Sequence, residues 1–154
     1  MTFFIGIDPG LRSGAAAAID CRGAYIGHYE IRTIGDRIDA SALYGWFLTV
    51  VPAFEKGHIV IEDVWVMPKQ GSVSSAGFMR AAGAIEATAA LMGWPVTMVR
   101  PQVWKKHHGL IKASKADDLA MARVMWPDAP LKLAKSHGIA DSLLIAKWGL
   151  DELA

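Results

Sequence analysis

Five apolar residues, Phe3 to Ile7, run straight into Asp8-Pro9-Gly10. The run is too short for a helix and ends on a strong turn signal, so it reads as a strand that stops abruptly. Ala15 to Ile19 is the next strand, with Cys21-Arg22-Gly23 as its turn, and Ala24 to Thr33 is a third, alternating one. Three strands joined by tight turns make an antiparallel meander, which commits the chain to a sheet before any helix appears. The periodicity then changes. A helix begins near Ser41, capped by Asp39 or Ser41, and carries Leu43, Phe47, Val50, Val51 and Phe54 as one apolar stripe until Gly57 ends it. His58 to Ile61 is a buried strand running into Glu62, Trp65 to Gly71 is a loop, Ser72 to Gly93 is a long helix and Pro95 to Val99 is a fifth strand. Pro101 to Lys112 reads as irregular and basic. Ser114 caps a helix running to Trp126, with Asp117 at its third position as the capping-box partner. Pro127 to Pro130 is a loop, and a last helix runs from about Ser136 to Trp148. The order βββαβαβαα predicts an α/β fold with a five-stranded mixed sheet, its first three strands antiparallel, flanked by helices.

The chain has 154 residues, 53% hydrophobic and 20% charged, which fits a single folded domain over 1–154 with a sizeable core and excludes a disordered chain. Cys21 is the lone cysteine, so no internal disulfide forms and a reduced, cytoplasmic compartment is expected. The opening residues have neither a basic region nor a small-residue cleavage site, so no secretion signal is expected. The best apolar stretch, Ala81 to Val99, is broken by Glu86 and Pro95, so no membrane span is expected either.

The net charge is only +1, yet the charges are unevenly placed. Between Trp65 and Lys115 the basic residues Lys69, Arg80, Arg100, Lys105, Lys106, Lys112 and Lys115 face a single acid, Glu86. This asymmetry fits an electropositive surface for phosphates, and equally a solvated loop face.

Three acids stand in apolar company. Asp8 and Glu62 each follow an apolar strand directly, and Asp141 lies in a helix otherwise almost without charge, Gly138-Ile139-Ala140-Asp141-Ser142-Leu143-Leu144-Ile145-Ala146. A carboxylate in such a place is costly unless something pairs with it. A divalent cation suits several at once, and two Mg²⁺ ions can clamp a phosphodiester and activate water for in-line attack. Each acid also has an ordinary explanation: a turn residue at Asp8, a solvated strand end at Glu62 beside Asp63, a solvent-facing helix position at Asp141.

Ile5-Gly6-Ile7-Asp8-Pro9-Gly10 with Gly14, Ile61-Glu62-Asp63-Val64-Trp65, and Ala140-Asp141-Ser142-Leu143-Leu144-Ile145-Ala146 together resemble, in order and across nearly the whole chain, the motifs of the RuvC Holliday-junction resolvases. The resemblance implies a ribonuclease H-like fold, a homodimer, two Mg²⁺ or Mn²⁺ ions per active site, and paired symmetric nicks in four-way DNA junctions. It makes Asp8, Glu62 and Asp141 metal ligands. Lys115 falls where the family has a lysine near the scissile phosphate, and Trp65 where it has an aromatic at the junction centre. Lys105, or Lys106, is the counterpart of a second DNA-contacting lysine. Lys69, Arg80 and Lys112 complete the expected DNA-binding set.

The chain departs from the pattern at one position. The family carries an acid or a histidine three residues before its last Asp, where this chain has Gly138. His137, four residues before Asp141, shares its helix face and is the candidate fourth ligand; a first-turn or capping role is the alternative. The other titratable groups have plainer roles: Asp117 and Asp118 as capping and dipole partners of their helix, His107 and His108 as basic-loop residues within reach of phosphate, and Glu86 as an interface or rim residue. The Ser72–Gly93 helix has ten Ala or Gly residues spread over more than one face, which suits packing on the sheet by one face and on a second subunit by another. The remaining alternatives are an RNA-processing relative, a nucleotide-binding ATPase or kinase-like domain suggested by the Asp8-Pro9-Gly10 and Gly14 spacing, and a non-catalytic junction-binding protein.

Overall fold

The computed structural model describes residues 2–65 and 71–154. A five-stranded sheet has the spatial order β3-β2-β1-β6-β7, built from β1 (Thr2–Asp8), β2 (Ala15–Ile19), β3 (Tyr25–Glu30), β6 (Lys56–Glu62) and β7 (Val96–Val99). β1, β2 and β3 pair antiparallel, whereas β1, β6 and β7 run parallel. The meander and the mixed sheet are therefore as the sequence predicts. Five helices flank them: α1 (Ala40–Val50), α2 (Ser72–Ala90), α3 (Pro101–His107), α4 (Lys115–Met125) and α5 (His137–Leu153).

Period-two alternation divides β1 between two cores. Phe3, Ile5 and Ile7 face α1 and α2, where Leu43, Phe47, Ala81 and Ile85 cover them. Phe4 faces the opposite side, where Leu143, Ile145 and Ala146 of α5 join Trp104 and Leu119. A strand covered on both faces needs a continuous apolar run, which is what Phe3 to Ile7 supplies. Gly6 sets how closely α5 approaches: a Cβ there would overlap the Ser142 carbonyl oxygen and the Ala146 amide nitrogen. The buried Ser142 hydroxyl donates to the Ala15 carbonyl at 2.9 Å and to the Gly138 carbonyl at 2.7 Å, so α5 is pinned to the strand pair as well as packed on it.

Four elements differ from the sequence expectation. The third strand ends at Glu30, and a separate hairpin follows, β4 (Thr33–Ile34) and β5 (Arg37–Ile38), turning on Gly35 at φ 63°. The Gly35-Asp36 pair is a two-residue hairpin turn that the alternation of the flanking residues masks. The first helix is capped by Asp39, which accepts from the Ala42 amide at 3.0 Å, but it ends at Val50 and not at Gly57. Phe54, assigned to the apolar stripe, is instead fully exposed in the following turn at φ 70°. Pro101 to His107 is helical and not irregular, because Pro101 occupies the first helical position, where its missing N–H costs nothing. The last helix extends to Leu153, and a 3₁₀ turn, Ala134–Ser136, leads into it. The Ser114–Asp117 capping box is present as expected, with the Ser114 hydroxyl accepting from the Asp117 amide.

Candidate active site

Because β1 and β6 are parallel neighbours with Ile7 opposite Ile61, their C-terminal ends place Asp8 and Glu62 side by side. α5 lies across the same strand ends and adds Asp141 from its second turn. The three carboxylates line one cavity of about 370 Å³, together with Ser13, Phe78, Trp104, Lys105 and Lys115. A C-terminal strand edge is where an open α/β sheet ordinarily holds its ligand.

The cavity is electrostatically frustrated. Burial pushes the Asp8 carboxyl up to about 7, and the neighbouring Glu62 charge adds to the push while Lys115 and Lys105 oppose it. Burial likewise lifts Asp141 to about 8, with Asp8 and Asp118 adding to it. Glu62 is raised by burial too, against the hydrogen bond from Trp104 and the charge of Lys105. Like charges crowded out of water resist ionisation unless a cation joins them. Asp141 Oδ1 is buried with no hydrogen-bond partner. Among the described residues, no three His, Cys, Asp or Glu side chains are drawn together closely enough to enclose an ion. Carboxylate oxygens of this kind suit a hard divalent cation that keeps part of its water shell.

Of the other expected site residues, Lys105 and Lys115 line the cavity. Lys115 is the first residue of α4, directly after its cap. Lys106 and Lys112 are exposed outside it, and Lys112 holds a left-handed backbone at φ 63°. Arg80 reaches Asp36 at 3.5 Å across solvent, away from the carboxylates. Lys69 lies outside the described residues. Trp65 is 64% exposed and so is not a core aromatic. Its ring faces the Arg100 guanidinium at 5.5 Å and, with Arg100, Gln102 and Val103, lines an open hollow of about 530 Å³ beside the carboxylate cavity.

His137 does not line the carboxylate cavity. It lines a neighbouring one of about 200 Å³ with Arg12, Ser13, Gly14 and Lys135, and Ser13 borders both. Its Nδ1 is buried without a partner, and burial followed by the Lys115 charge lowers its pKa. The Gly138 departure has a steric cause. A Cβ at position 138 would overlap the Ser13 carbonyl oxygen, so α5 starts flush against the Pro9–Gly14 turn and leaves no room for an acid.

The structure refines the expected roles of three residues, Asp118, His107 and His108. Asp117 caps α4 and Asp118 stands in its first turn, but Asp118 is fully buried and pairs with Lys105 Nζ at 3.0 Å. His107, exposed at the end of α3, sits 3.0 Å from Asp151 and 3.1 Å from Glu152 of α5, while the half-buried His108 donates from Nε2 to the Leu144 carbonyl at 2.8 Å. The sequence reading also missed Trp104. It is fully buried, and its indole N–H donates to Glu62 Oε2 at 2.8 Å, fixing that carboxylate's rotamer. A tryptophan just before two lysines, in a segment taken as irregular, offered no sign of this until the segment was known to be helical.

Carboxylates on adjacent parallel strand ends and on a crossing helix, with Lys105 and Lys115 on the same cavity wall, form a donor set suited to a cation and a phosphate. No family model matches the chain. It is 32% identical over 149 residues to the crossover junction endodeoxyribonuclease RuvC of Rhodospirillum rubrum, covering 92% of this chain and 85% of that protein. A chloroplastic Holliday junction resolvase of Chlamydomonas reinhardtii is 33% identical over 88 residues, 55% of this chain and 10% of that one. In fold it is similar to Thermus thermophilus RuvC solved in complex with a Holliday junction substrate, with a TM-score of 0.67 and 22% identity over 95% of this chain and 90% of that one. A second Thermus thermophilus RuvC structure gives a TM-score of 0.61 at 20% identity, over 94% and 90% of the two chains. The chain belongs to the RuvC family.

Proposed function

We propose that this chain is a metal-dependent endonuclease that resolves four-way DNA junctions by paired, symmetric nicks, acting as a homodimer of single domains spanning 1–154. The observation that carries the reading is the Asp8, Glu62 and Asp141 cavity, with its raised carboxyls and orphaned Asp141 oxygen, in a chain of this family. Asp8, Glu62 and Asp141 are the residues that would hold the metal, and His137, whose buried Nδ1 is without a partner in the neighbouring cavity, is the candidate fourth ligand. When bound, two Mg²⁺ or Mn²⁺ ions would activate water and neutralise charge on the phosphodiester.

The chain's own residues supply the rest. Trp104 holds Glu62 in one orientation through its indole N–H. Lys115 and Lys105, on the cavity wall, stabilise charge on the phosphoryl oxygens. Trp65, exposed beside Arg100, offers an aromatic face to an unstacked base at the junction centre. Lys69, Arg80, Lys106 and Lys112 contact backbone phosphates and position the junction without reading its sequence. α2 buries Ala81, Ile85, Thr88 and Ala89 on its own sheet and leaves Val73 and Met79 exposed, which gives a second face to a partner subunit. Two subunits would present two such cavities to opposed strands. No helix of the described residues is long and apolar enough to cross a membrane.

The test is cleavage of a synthetic four-way junction against its linear duplex in Mg²⁺, Mn²⁺ or EDTA, beside Asp8→Asn. Metal-dependent paired nicks confined to the junction, lost in the variant while junction binding persists, are the expected result. Junction binding with no cleavage in either metal would return the chain to a non-catalytic role.

A further inference from the structure

Asp118 is the only charged side chain among the described residues with no exposed surface. It sits in the first turn of α4, next to the apolar Leu119 and one turn before Ala122, where an apolar residue would pack at no electrostatic cost. One of its oxygens, Oδ2, accepts a hydrogen bond from Lys105 Nζ at 3.0 Å, and the other has no partner. A buried carboxylate half satisfied in this way costs stability, so it needs an explanation in what it holds. What it holds borders the carboxylate cavity. Lys105 lines that cavity, its ammonium lies 5.1 Å from the centre of the Trp104 ring, and Trp104 donates to Glu62. The four side chains form one connected series from α4 to the end of β6.

We infer that Asp118 is a positioning residue: it anchors the Lys105 ammonium at the wall of the cavity and keeps it from closing onto Glu62 and Asp141. The inference rests on the nuclease reading of that cavity. Lysine carries a long, freely rotating stem, and fixing it before substrate arrives removes a search that the reaction would otherwise include. Lys105 feels the charges of Glu62 and Asp141 as well as that of Asp118, yet its ion pair is with Asp118. Without Asp118 the ammonium would move freely between solvent and the two carboxylates that a metal ion requires. The fully buried position of Asp118 keeps it from taking the ion itself, so it competes for the lysine alone.

Two measurements on the full-length protein test this. In single-turnover cleavage of a four-way junction at saturating DNA, Asp118→Ala is expected to slow the chemical step by on the order of tenfold while the junction Kd stays within about twofold. Asp118→Asn, whose side-chain oxygen still accepts from Lys105, should recover most of the rate. Lys105→Ala with Asp118→Ala should be no slower than Lys105→Ala alone, because both act through one ammonium. In the DNA-free protein, acetylation by a water-soluble N-hydroxysuccinimide ester, followed residue by residue by mass spectrometry, should be slower at Lys105 than at the exposed Lys106 and Lys112. It should rise toward theirs in Asp118→Ala. If Asp118→Ala does not fold, Asp118→Leu, which fills the buried site with apolar volume, replaces it in every arm. Additive losses in the double variant, or equal Lys105 acetylation with and without Asp118, would overturn the proposal. If the wild-type protein does not cleave junctions, the nuclease reading fails, and acetylation alone decides whether Asp118 holds Lys105.

Discussion

The sheet face under α1 and α2 is sealed by Phe3, Ile5, Ile7, Leu43, Phe47, Ile59 and Ile85, and Thr88, buried in α2, bonds back to its own helix at Ala84. The face under α3, α4 and α5 is equally well covered, but it also buries Asp118 and Ser142 and leads to Trp104, Lys105 and Glu62 at its edge. The core of one face is an apolar packing surface. The other carries polar groups that cost stability and are aimed at one end of two strands. A fold of this kind separates the two tasks by putting them on opposite sides of the same strands, so a substitution on one side should move a quantity that the other side leaves alone.

The sharpest break in that symmetry is at the carboxylates. Asp8→Asn should reduce metal-supported cleavage by on the order of 10³-fold or more while leaving the fold intact. It should also make the metal-free protein more stable above neutral pH. Burial raises the folded-state carboxyls of Asp8 and Asp141 to about 7 and about 8, from the ordinary aspartate value of 3.8. Their contribution is therefore complete below the unfolded pKa and is lost as the pH rises through 7 to 8. Thermal melts of wild type and Asp8→Asn without metal, from pH 4 to pH 9, should diverge over that window, and parallel curves would remove the electrostatic account.

On the opposite face, Phe47→Ala should cost about 3–5 kcal/mol in denaturant melts, with cleavage per folded molecule unchanged. A fall in specific activity would mean that the two faces are not independent. Gly138→Asp, which places an acid where the family has one, should gain no activity and should lose about 1–3 kcal/mol, because its Cβ overlaps the Ser13 carbonyl. Trp104→Phe keeps the ring but removes the N–H that orients Glu62; the single-turnover rate should fall by roughly tenfold with little change in the melting midpoint. Arg80→Ala removes an exposed pair with Asp36 and should change stability by less than about 1 kcal/mol.

Much of this architecture was legible in the sequence because the informative signals were local. An apolar run stopped by Asp8-Pro9-Gly10, the Ser114–Asp117 box and the lone Asp141 in an apolar helix each carry their meaning within a few residues. The elements that escaped depend on pairing or packing. The β4–β5 hairpin is two residues per strand, too short for a periodic pattern. Phe54 matched the helical spacing, but the helix had already ended, and spacing alone does not show where the backbone turns. Asp117 and Asp118 are adjacent and chemically identical, yet the first caps a helix in solvent and the second is buried against Lys105; only the rotation of α4 against α5 distinguishes them. Trp104 and Glu62 are separated by 42 positions, and their hydrogen bond exists because β6, β7 and α3 bring them to one corner.

The contact between Gly138 and the Pro9–Gly14 turn has a consequence for how chains of this type diverge. With the start of α5 resting on the Ser13 carbonyl, a side chain at 138 and the present path of that turn are mutually exclusive. A lineage that regains an acid or histidine there must therefore also alter the turn's length or course. Across such sequences, position 138 and the residues between 9 and 14 should change as a correlated pair, and the histidine one step earlier should be dispensable only in lineages that have made both changes.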